Sequence, residues 1–227
     1  MRAVIAVVLL AACSVGGSAQ SREMKVGVPA PDFKLKATDG KTYRLSSFKG
    51  KKPVVLAWIP RRVATNGTSL YGCNSSLECG SLTNSSIRNY DVAFFIAAVV
   101  PSLDGDIVGG RRLNPDLKFG LLTGGFPLLR DPTERTATAY GVLTPGIGVT
   151  NRWTFYIDND GTIVFIDKAV GAYTSGRDIV ARLDALRFPR LSAEKIAERL
   201  HAEQKAKKRE REQEKMASEC QRYPSLC

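Results

Sequence analysis

The chain has 227 residues, a hydrophobic content of 44% and a formal net charge of +11, with five cysteines and one histidine, His201. This hydrophobic content is ordinary for a globular domain, and a single histidine argues against a Ser-His-Asp triad, a Cys-His pair or a histidine-rich metal centre. No nucleic-acid motif accompanies the basic charge, so we interpret it as solvated surface and expect no nucleic-acid partner.

Residues 1–19 are predicted to be a secretory signal peptide. Arg2 precedes an apolar run over residues 3–12, and small residues end at Ala19. The run is shorter than the roughly 20 residues that cross a bilayer. Cleavage after Ala19 is favoured over a lipoprotein-type cleavage before Cys13. We therefore expect an exported protein, periplasmic or extracellular, that contacts a membrane only if it is lipidated at Cys13.

The first elements after the export signal are short. Residues 33–37 and 41–45 are predicted to form a hairpin around a turn at residues 39–40, followed by one helical turn at residues 46–50. Residues 54–59 form an uninterrupted apolar run between Pro53 and Pro60. Such a run is typical of a strand buried on both faces, the central strand of an α/β sheet.

A loop with two cysteines, Cys73 and Cys79, follows this strand. Reactive groups collect at the carboxyl ends of the strands of α/β sheets. A helix predicted over residues 77–90 would point the partial positive charge of its N-terminal amides at a cysteine there, which lowers the pKa of a thiol and makes it nucleophilic.

The rest of the domain is predicted to alternate strands and helices. The predicted elements are a strand over residues 92–100 parallel to the first, a strand over 126–129, a helix over 132–140 capped by Asp131, a hairpin of residues 152–157 and 162–167, and an amphipathic helix over 175–186. Residues 101–125 have no convincing helical period. The pattern predicts an α/β domain over residues 26–190, a mixed sheet with helices on both faces.

Residues 192–227 differ in composition from the domain. Ser192 is the predicted cap of a run rich in Ala, Glu, Lys and Arg that reaches about residue 216. We interpret this charged C-terminal tail as a solvated helix or a partly disordered segment, with a partner-binding or membrane-surface helix as the alternative. Cys220 and Cys227 could close a small disulfide loop in an exported protein.

Nine segments of the chain resemble one known family. They are residues 26–33, 39–41, 45–50, 54–60, 65–67, 78–82, 126–132, 139–143 and 152–158. In this order they resemble the peroxiredoxins of the alkyl hydroperoxide reductase/thiol-specific antioxidant group, over residues 26–187. The resemblance implies a thioredoxin-like fold, reduction of a hydroperoxide, and a thiol reductant such as a thioredoxin-like protein or a small thiol. It also implies that the chain can form a homodimer, without a metal or an organic cofactor.

The resemblance also implies a set of site residues. Pro60 matches the proline that shields the family's cysteine, Thr65 matches its threonine, and Arg152 matches its arginine. The family's cysteine itself falls on Thr68 counted forward from Pro60, or on Ser75 counted back from Cys79, because the loop is longer here. Cys73 follows a glycine in the middle of the insertion and is the predicted replacement.

Three interpretations of the two cysteines stay open. In the first, Cys73 attacks the peroxide and Cys79 resolves the resulting sulfenic acid as a disulfide. In the second, the pair exchanges disulfides with other exported proteins, although its spacing exceeds that of a CxxC motif. In the third, the pair is a static disulfide on a degenerate binding scaffold.

Overall fold

A computed structural model describes residues 24–63, 69–71, 84–99, 107–108, 111–112, 126–144 and 150–222. The predicted signal peptide, Thr65, Cys73, Cys79 and Cys227 lie outside these residues. So do most of residues 101–125, where the described backbone consists of the short paired strands Ile107–Val108 and Arg111–Arg112.

The central strand is the apolar run between the two prolines. All of its residues are buried, and it carries a parallel neighbour on one side and an antiparallel neighbour on the other. The described strands are β1 Lys34–Ala37, β2 Thr42–Arg44, β3 Val54–Trp58, β4 Arg61–Val63, β5 Ser69–Tyr71, β6 Ala93–Ala98, β7 Ile107–Val108, β8 Arg111–Arg112, β9 Leu128–Arg130, β10 Thr154–Ile157 and β11 Ile163–Asp167.

Seven of the described strands form one mixed sheet in the order β11-β10-β3-β6-β9-β1-β2. β3, β6 and β9 are parallel, whereas β10, β11, β1 and β2 are antiparallel to their neighbours. The predicted mixed sheet and its parallel central pair are therefore confirmed. The described helices are α1 Arg135–Ala139, α2 Ser175–Ala185 and α3 Ala193–Arg222.

Helices cover both faces of this sheet. Along β3, Val55 and Ala57 pack in one cluster with Ile179 and Leu183 of α2. Leu56 and Trp58 point the other way, into a cluster with Ala137 and Tyr140 at α1. Alternate side chains of a strand face opposite sides of a sheet, so a continuous apolar run is what a strand between two helical layers requires.

The two predicted hairpins are also present. β1 and β2 pair around Gly40, whose φ of +78° is a conformation that glycine adopts without steric cost. The single turn after β2 is a 3-10 helix, Leu45–Phe48, held by Asp32, whose carboxylate accepts bonds from the backbone N and the hydroxyl of Ser46 at 2.9 and 3.1 Å. β10 and β11 pair antiparallel as predicted.

The helix predicted over residues 77–90 is wrong in its described part. The backbone forms a short 3-10 helix, Ser85–Asn89, instead. The Asn84 side chain accepts a bond from Ser86 N at 2.9 Å and starts this new turn, while Tyr90 is drawn into an antiparallel bridge with Arg190. The Asn84 cap and the bridge between Tyr90 and Arg190 therefore replace the α-helix that the sequence pattern favours.

The helix predicted from residue 132 begins later, at Arg135. Pro132 and Thr133 form a turn, and Glu134 takes a left-handed φ of +60°, which prevents a continuous helix through this point. Asp131 still caps the helix, as predicted, although the helix begins later than predicted. Its buried carboxylate accepts a bond from Ala137 N at 2.8 Å in the first turn of α1.

Replacing Asp131 with alanine is expected to destabilise the fold by about 1–3 kcal/mol. The change leaves the Ala137 N–H buried without its acceptor, and an unsatisfied buried donor costs about that much. Urea denaturation of Asp131→Ala measures the free energy of unfolding. The exposed Asp160→Ala on the β10–β11 turn is the control and should stay within about 0.5 kcal/mol of the unmutated protein. If Asp131→Ala also changes the free energy of unfolding by no more than about 0.5 kcal/mol, this account is contradicted.

Two backbone hydrogen bonds join the chain after α2 to the segment that precedes β6. Asp91 N donates to Pro189 O at 2.7 Å, and Leu191 N donates to Asn89 O at 2.8 Å. α3 then runs for 30 residues, about 45 Å, and begins where Ser192 accepts a bond from Lys195 N at 3.3 Å. Within the described part of the chain, each helix is too short or too polar to cross a bilayer.

Candidate active site

The candidate site is built on the carboxyl end of β3. Ile59 is buried there, Pro60 is half-buried, and the cysteine loop follows. Ile59 N donates to Ala97 O at 2.9 Å, so β6 holds this end from one side. The structure therefore places Pro60 where the sequence predicts it.

The loop after Pro60 begins with a hairpin that the sequence analysis missed. β4 and β5 pair antiparallel, with Arg61 opposite Tyr71. This pairing returns the chain to the end of β3, because Arg61 follows Pro60 directly and Tyr71 comes two residues before Cys73. An Asn-Gly pair between two short extended runs is a strong hairpin signal, and residues 66–67 supply it here.

Arg152 lies on the other side of this strand end. Ala57 pairs with Thr154, and Trp58 N donates to Trp153 O at 2.8 Å. Arg152 directly precedes Trp153 in the chain, so its backbone lies at this end of β3. Arg152 is half-buried and its Nη1 is shielded from solvent. The structure thus brings the segments that carry Pro60 and Arg152, which are distant in sequence, to the same end of β3.

Thr150 is a second residue that the sequence analysis did not single out. It is buried, and its hydroxyl donates to Ile59 O at 2.8 Å across 91 residues of chain. The bond holds the segment before Arg152 against the end of β3. A threonine in a loop carries no sequence signal for such a bond, because its acceptor is a backbone carbonyl that only folding brings near.

An aromatic cluster packs against one face of the sheet near this end of β3. Trp58 packs beside Tyr140 with ring centroids 6.2 Å apart, and Tyr140 meets Phe155 edge-on at 4.9 Å. Burial, with the nearby Asp32 charge adding to it, raises the pKa of Tyr140 above its usual value. The neutral hydroxyl donates to Pro31 O at 2.9 Å.

Arg152 supplies a permanent positive charge at the buried strand end that precedes Pro60. An arginine stays protonated at any physiological pH. Such a charge favours the thiolate form of a nearby cysteine and stabilises negative charge that develops on an oxygen during a reaction. Among the described residues, no three His, Cys, Asp or Glu side chains form a metal-binding group. The expected absence of a metal stays a prediction.

Comparisons with known proteins match one family. The Redoxin family matches residues 25–175. Alkyl hydroperoxide reductase E of Mycobacterium tuberculosis is 30% identical over 148 residues, which cover 63% of this chain and 85% of that protein. Peroxiredoxin tpx1 of Schizosaccharomyces pombe is 30% identical over 174 residues, or 73% of this chain and 83% of the relative.

Solved structures agree on the fold. AhpC from Mycobacterium tuberculosis superposes with a TM-score of 0.53 at 21% identity, covering 76% of this chain and 98% of that one. Peroxidoxin BcpB from the same organism gives a TM-score of 0.51 at 22% identity, covering 72% of this chain and 98% of that one. At this identity the structural likeness concerns the fold alone, and the predicted thioredoxin-like α/β class is confirmed.

Proposed function

The chain belongs to the redoxin family and is a peroxiredoxin-type thiol peroxidase, an oxidoreductase, and we propose that Cys73 is the thiol that reduces its hydroperoxide substrate. In this proposal Arg152, Thr65 and Pro60 surround the reacting thiolate, and Cys79 resolves the oxidised product. Electrons come from an external thiol reductant.

One observation carries the assignment to Cys73. The β4–β5 hairpin returns the chain to the end of β3 at Tyr71, two residues before Cys73. Arg152 is held at the same strand end by the β3–β10 register. The lengthened loop therefore leads the chain back toward Pro60 and Arg152 just before its first cysteine.

The proposed reaction balances in two steps. The Cys73 thiolate attacks the distal oxygen of a hydroperoxide; the O–O bond breaks, the thiolate becomes a sulfenic acid, and the other oxygen leaves as an alcohol after it gains a proton. The Cys79 thiol then attacks the sulfenic sulfur, which releases water and forms a disulfide. A dithiol reductant, or two molecules of a monothiol, supplies two electrons and restores both thiols.

In this scheme Arg152 acts both before and during the attack on the peroxide. Its guanidinium favours the thiolate of Cys73 before the attack and stabilises the negative charge on the leaving oxygen during it. Thr65 supplies a hydroxyl that can donate to the same oxygen, and Pro60 has no N–H and excludes water from one side. No step needs a metal or an organic cofactor.

The experiment that tests this function is peroxide consumption by the pre-reduced protein supplied with a thiol reductant. Turnover well above that of the reductant alone is expected. Consumption no faster than that of free thiol would refute the peroxidase proposal. Disulfide exchange with an unfolded thiol-containing protein, without peroxide consumption, would favour the exchange alternative instead.

We further propose that the protein is exported to the periplasm or the extracellular space through residues 1–19, and that it can form a homodimer there. The support is the charge and apolar pattern of the leader, which lies before the segment that matches the redoxin family. N-terminal sequencing of the chain from its native source is expected to begin at Gln20. A lipidated Cys13 at the N-terminus would mean a membrane anchor, and an intact residue 1 would refute export.

A further inference from the structure

The segment that leads into β10 departs from regular pairing with β3. Ala57 pairs with Thr154, and the next residue, Trp58, donates its backbone N–H to Trp153 O at 2.8 Å. In a regular antiparallel ladder the opposed residues exchange both bonds, so Trp153 N would donate to Trp58 O. It donates to Asn151 O at 3.1 Å instead. Regular pairing therefore stops here, because Trp153 N bonds within its own segment.

Arg152 is the central residue of the γ-turn that results. A bond from the N–H of one residue to the carbonyl two residues earlier closes a three-residue turn, and Asn151 and Trp153 are its two ends here. The φ of Arg152 is not positive, so the turn has the inverse form, which is common at strand ends. A turn this short leaves its central residue little freedom once both ends are held, so the bonds at its ends decide where the Arg152 backbone lies.

Two hydrogen bonds hold the chain where it enters this turn. Asn151 N donates to Val142 O at 2.7 Å, and the Thr150 hydroxyl donates to Ile59 O at 2.8 Å. The second of these bonds reaches the end of β3, at the residue directly before Pro60. Thr150 is 1% exposed, so water does not compete for its hydroxyl, and a hydrogen bond is stronger in such a desolvated position.

The Thr150 bond links the two site segments beyond the last bond of the β3–β10 ladder. It reaches β3 one residue before Pro60, from a position two residues before Arg152. The spacing between these two segments therefore depends on a side-chain hydroxyl in addition to strand pairing.

From this arrangement we propose that Thr150 is a positioning residue for the peroxidase reaction, whose hydroxyl holds the turn that carries Arg152 at the correct distance from Pro60. This role rests on the function proposed above, in which Arg152 stabilises the thiolate and the leaving oxygen. Thr150 acts through Arg152 and is assigned no contact with the peroxide. A displacement of about 1 Å near a reacting centre can cost about 10²-fold in rate, so loss of the hydroxyl should be measurable.

Thr150→Val removes the hydroxyl and nearly keeps the side-chain shape. It is expected to lower kcat/KM for the peroxide by about tenfold and to move the midpoint of the pH profile upward, because a displaced guanidinium stabilises the thiolate less. Thr150→Ser retains a hydroxyl and should stay within about threefold of the unmutated protein. The matched control is Thr138→Val, which removes an exposed hydroxyl that donates to Glu134 O at 2.7 Å in α1, and its kcat/KM should stay within about twofold.

A double-mutant cycle separates positioning of Arg152 from a general loss of structure. In an Arg152→Gln background, Thr150→Val is expected to change kcat/KM by no more than about twofold, because both changes then act on the same missing group. A repeated tenfold loss in that background would overturn the proposal. So would an unchanged kcat/KM in Thr150→Val, or an equal loss in Thr150→Ser.

An NMR measurement tests the same role without relying on peroxide turnover. The Arg152 Nε–H signal, identified by its absence in Arg152→Gln, is expected to shift in Thr150→Val and to keep its position in Thr150→Ser. Thr150→Ala serves as the variant without a hydroxyl if Thr150→Val does not fold. A signal that stays in place in a folded variant without the hydroxyl would overturn the proposal. If the signal shifts as expected but the unmutated protein consumes no peroxide, the positioning is supported and the peroxidase function is what fails.

Discussion

Cys73→Ser is expected to reduce peroxide turnover by at least about 10³-fold, to the level of the reductant alone. A serine hydroxyl is hardly ionised at neutral pH, whereas a thiol near a fixed cation is substantially ionised, and the thiolate is the nucleophile. Removing the nucleophile removes the covalent path altogether. The measurement is peroxide consumption under saturating thiol reductant, compared with the unmutated protein.

The other cysteines provide the controls for this result. Cys220→Ser lies in the C-terminal helix, far along the chain from the loop, and should leave turnover unchanged. Cys79→Ser should still consume about one equivalent of peroxide per chain and accumulate a sulfenic acid that a dimedone probe traps. If Cys79→Ser rather than Cys73→Ser abolishes this first equivalent, Cys79 is the attacking thiol and the assignment is wrong.

Arg152→Gln is expected to lower kcat/KM for the peroxide by about 10²-fold. Loss of one preorganised donor to a developing oxyanion typically costs about 10²–10³-fold. The change also removes the cation that stabilises the thiolate, so the pKa of the Cys73 thiol should rise. At neutral pH a smaller fraction of the thiol is then ionised, and the activity that remains should increase as pH rises.

The pH profile separates this role from a structural one. A variant that only loosens the fold would lose activity at all pH values, without moving the midpoint of the profile. Arg177→Gln is the control, because Arg177 is an exposed cation in the first turn of α2. An Arg152→Gln enzyme with normal kcat/KM would remove Arg152 from the proposed site.

Much of the fold could be predicted because its signals are local. The apolar run of β3 needs helices on both faces, and α1 and α2 provide them. The β1–β2 and β10–β11 hairpins follow from turn residues placed between short alternating runs. These patterns depend on burial and backbone geometry within about ten residues, which a single sequence expresses directly.

The two misjudged helices show where local signals fail. The pattern over residues 77–90 is compatible with a helix, but Asn84 starts a 3-10 turn and Tyr90 bonds to the chain after α2. Glu134 takes a positive φ and delays α1, while the Asp131 carboxylate reaches Ala137 N from outside the helix. In both places a hydrogen bond formed in the folded chain outweighs a weak helical preference.

The sequence by itself indicated the family, the positions along the chain of the seven strands of the main sheet, and the chemical types expected at the candidate site: a proline, a threonine, an arginine and two cysteines in a loop. Only the tertiary structure decided which of the described residues meet. Thr150 bonds to the carbonyl of Ile59, and the segment that carries Arg152 reaches the same end of β3 as Pro60, because β10 pairs with β3. Arg88 and Arg199 converge on Glu203 because the chain after α2 returns to the amino end of β6. Side-chain contacts between distant segments depend on strand register and helix packing, and no local sequence pattern encodes them.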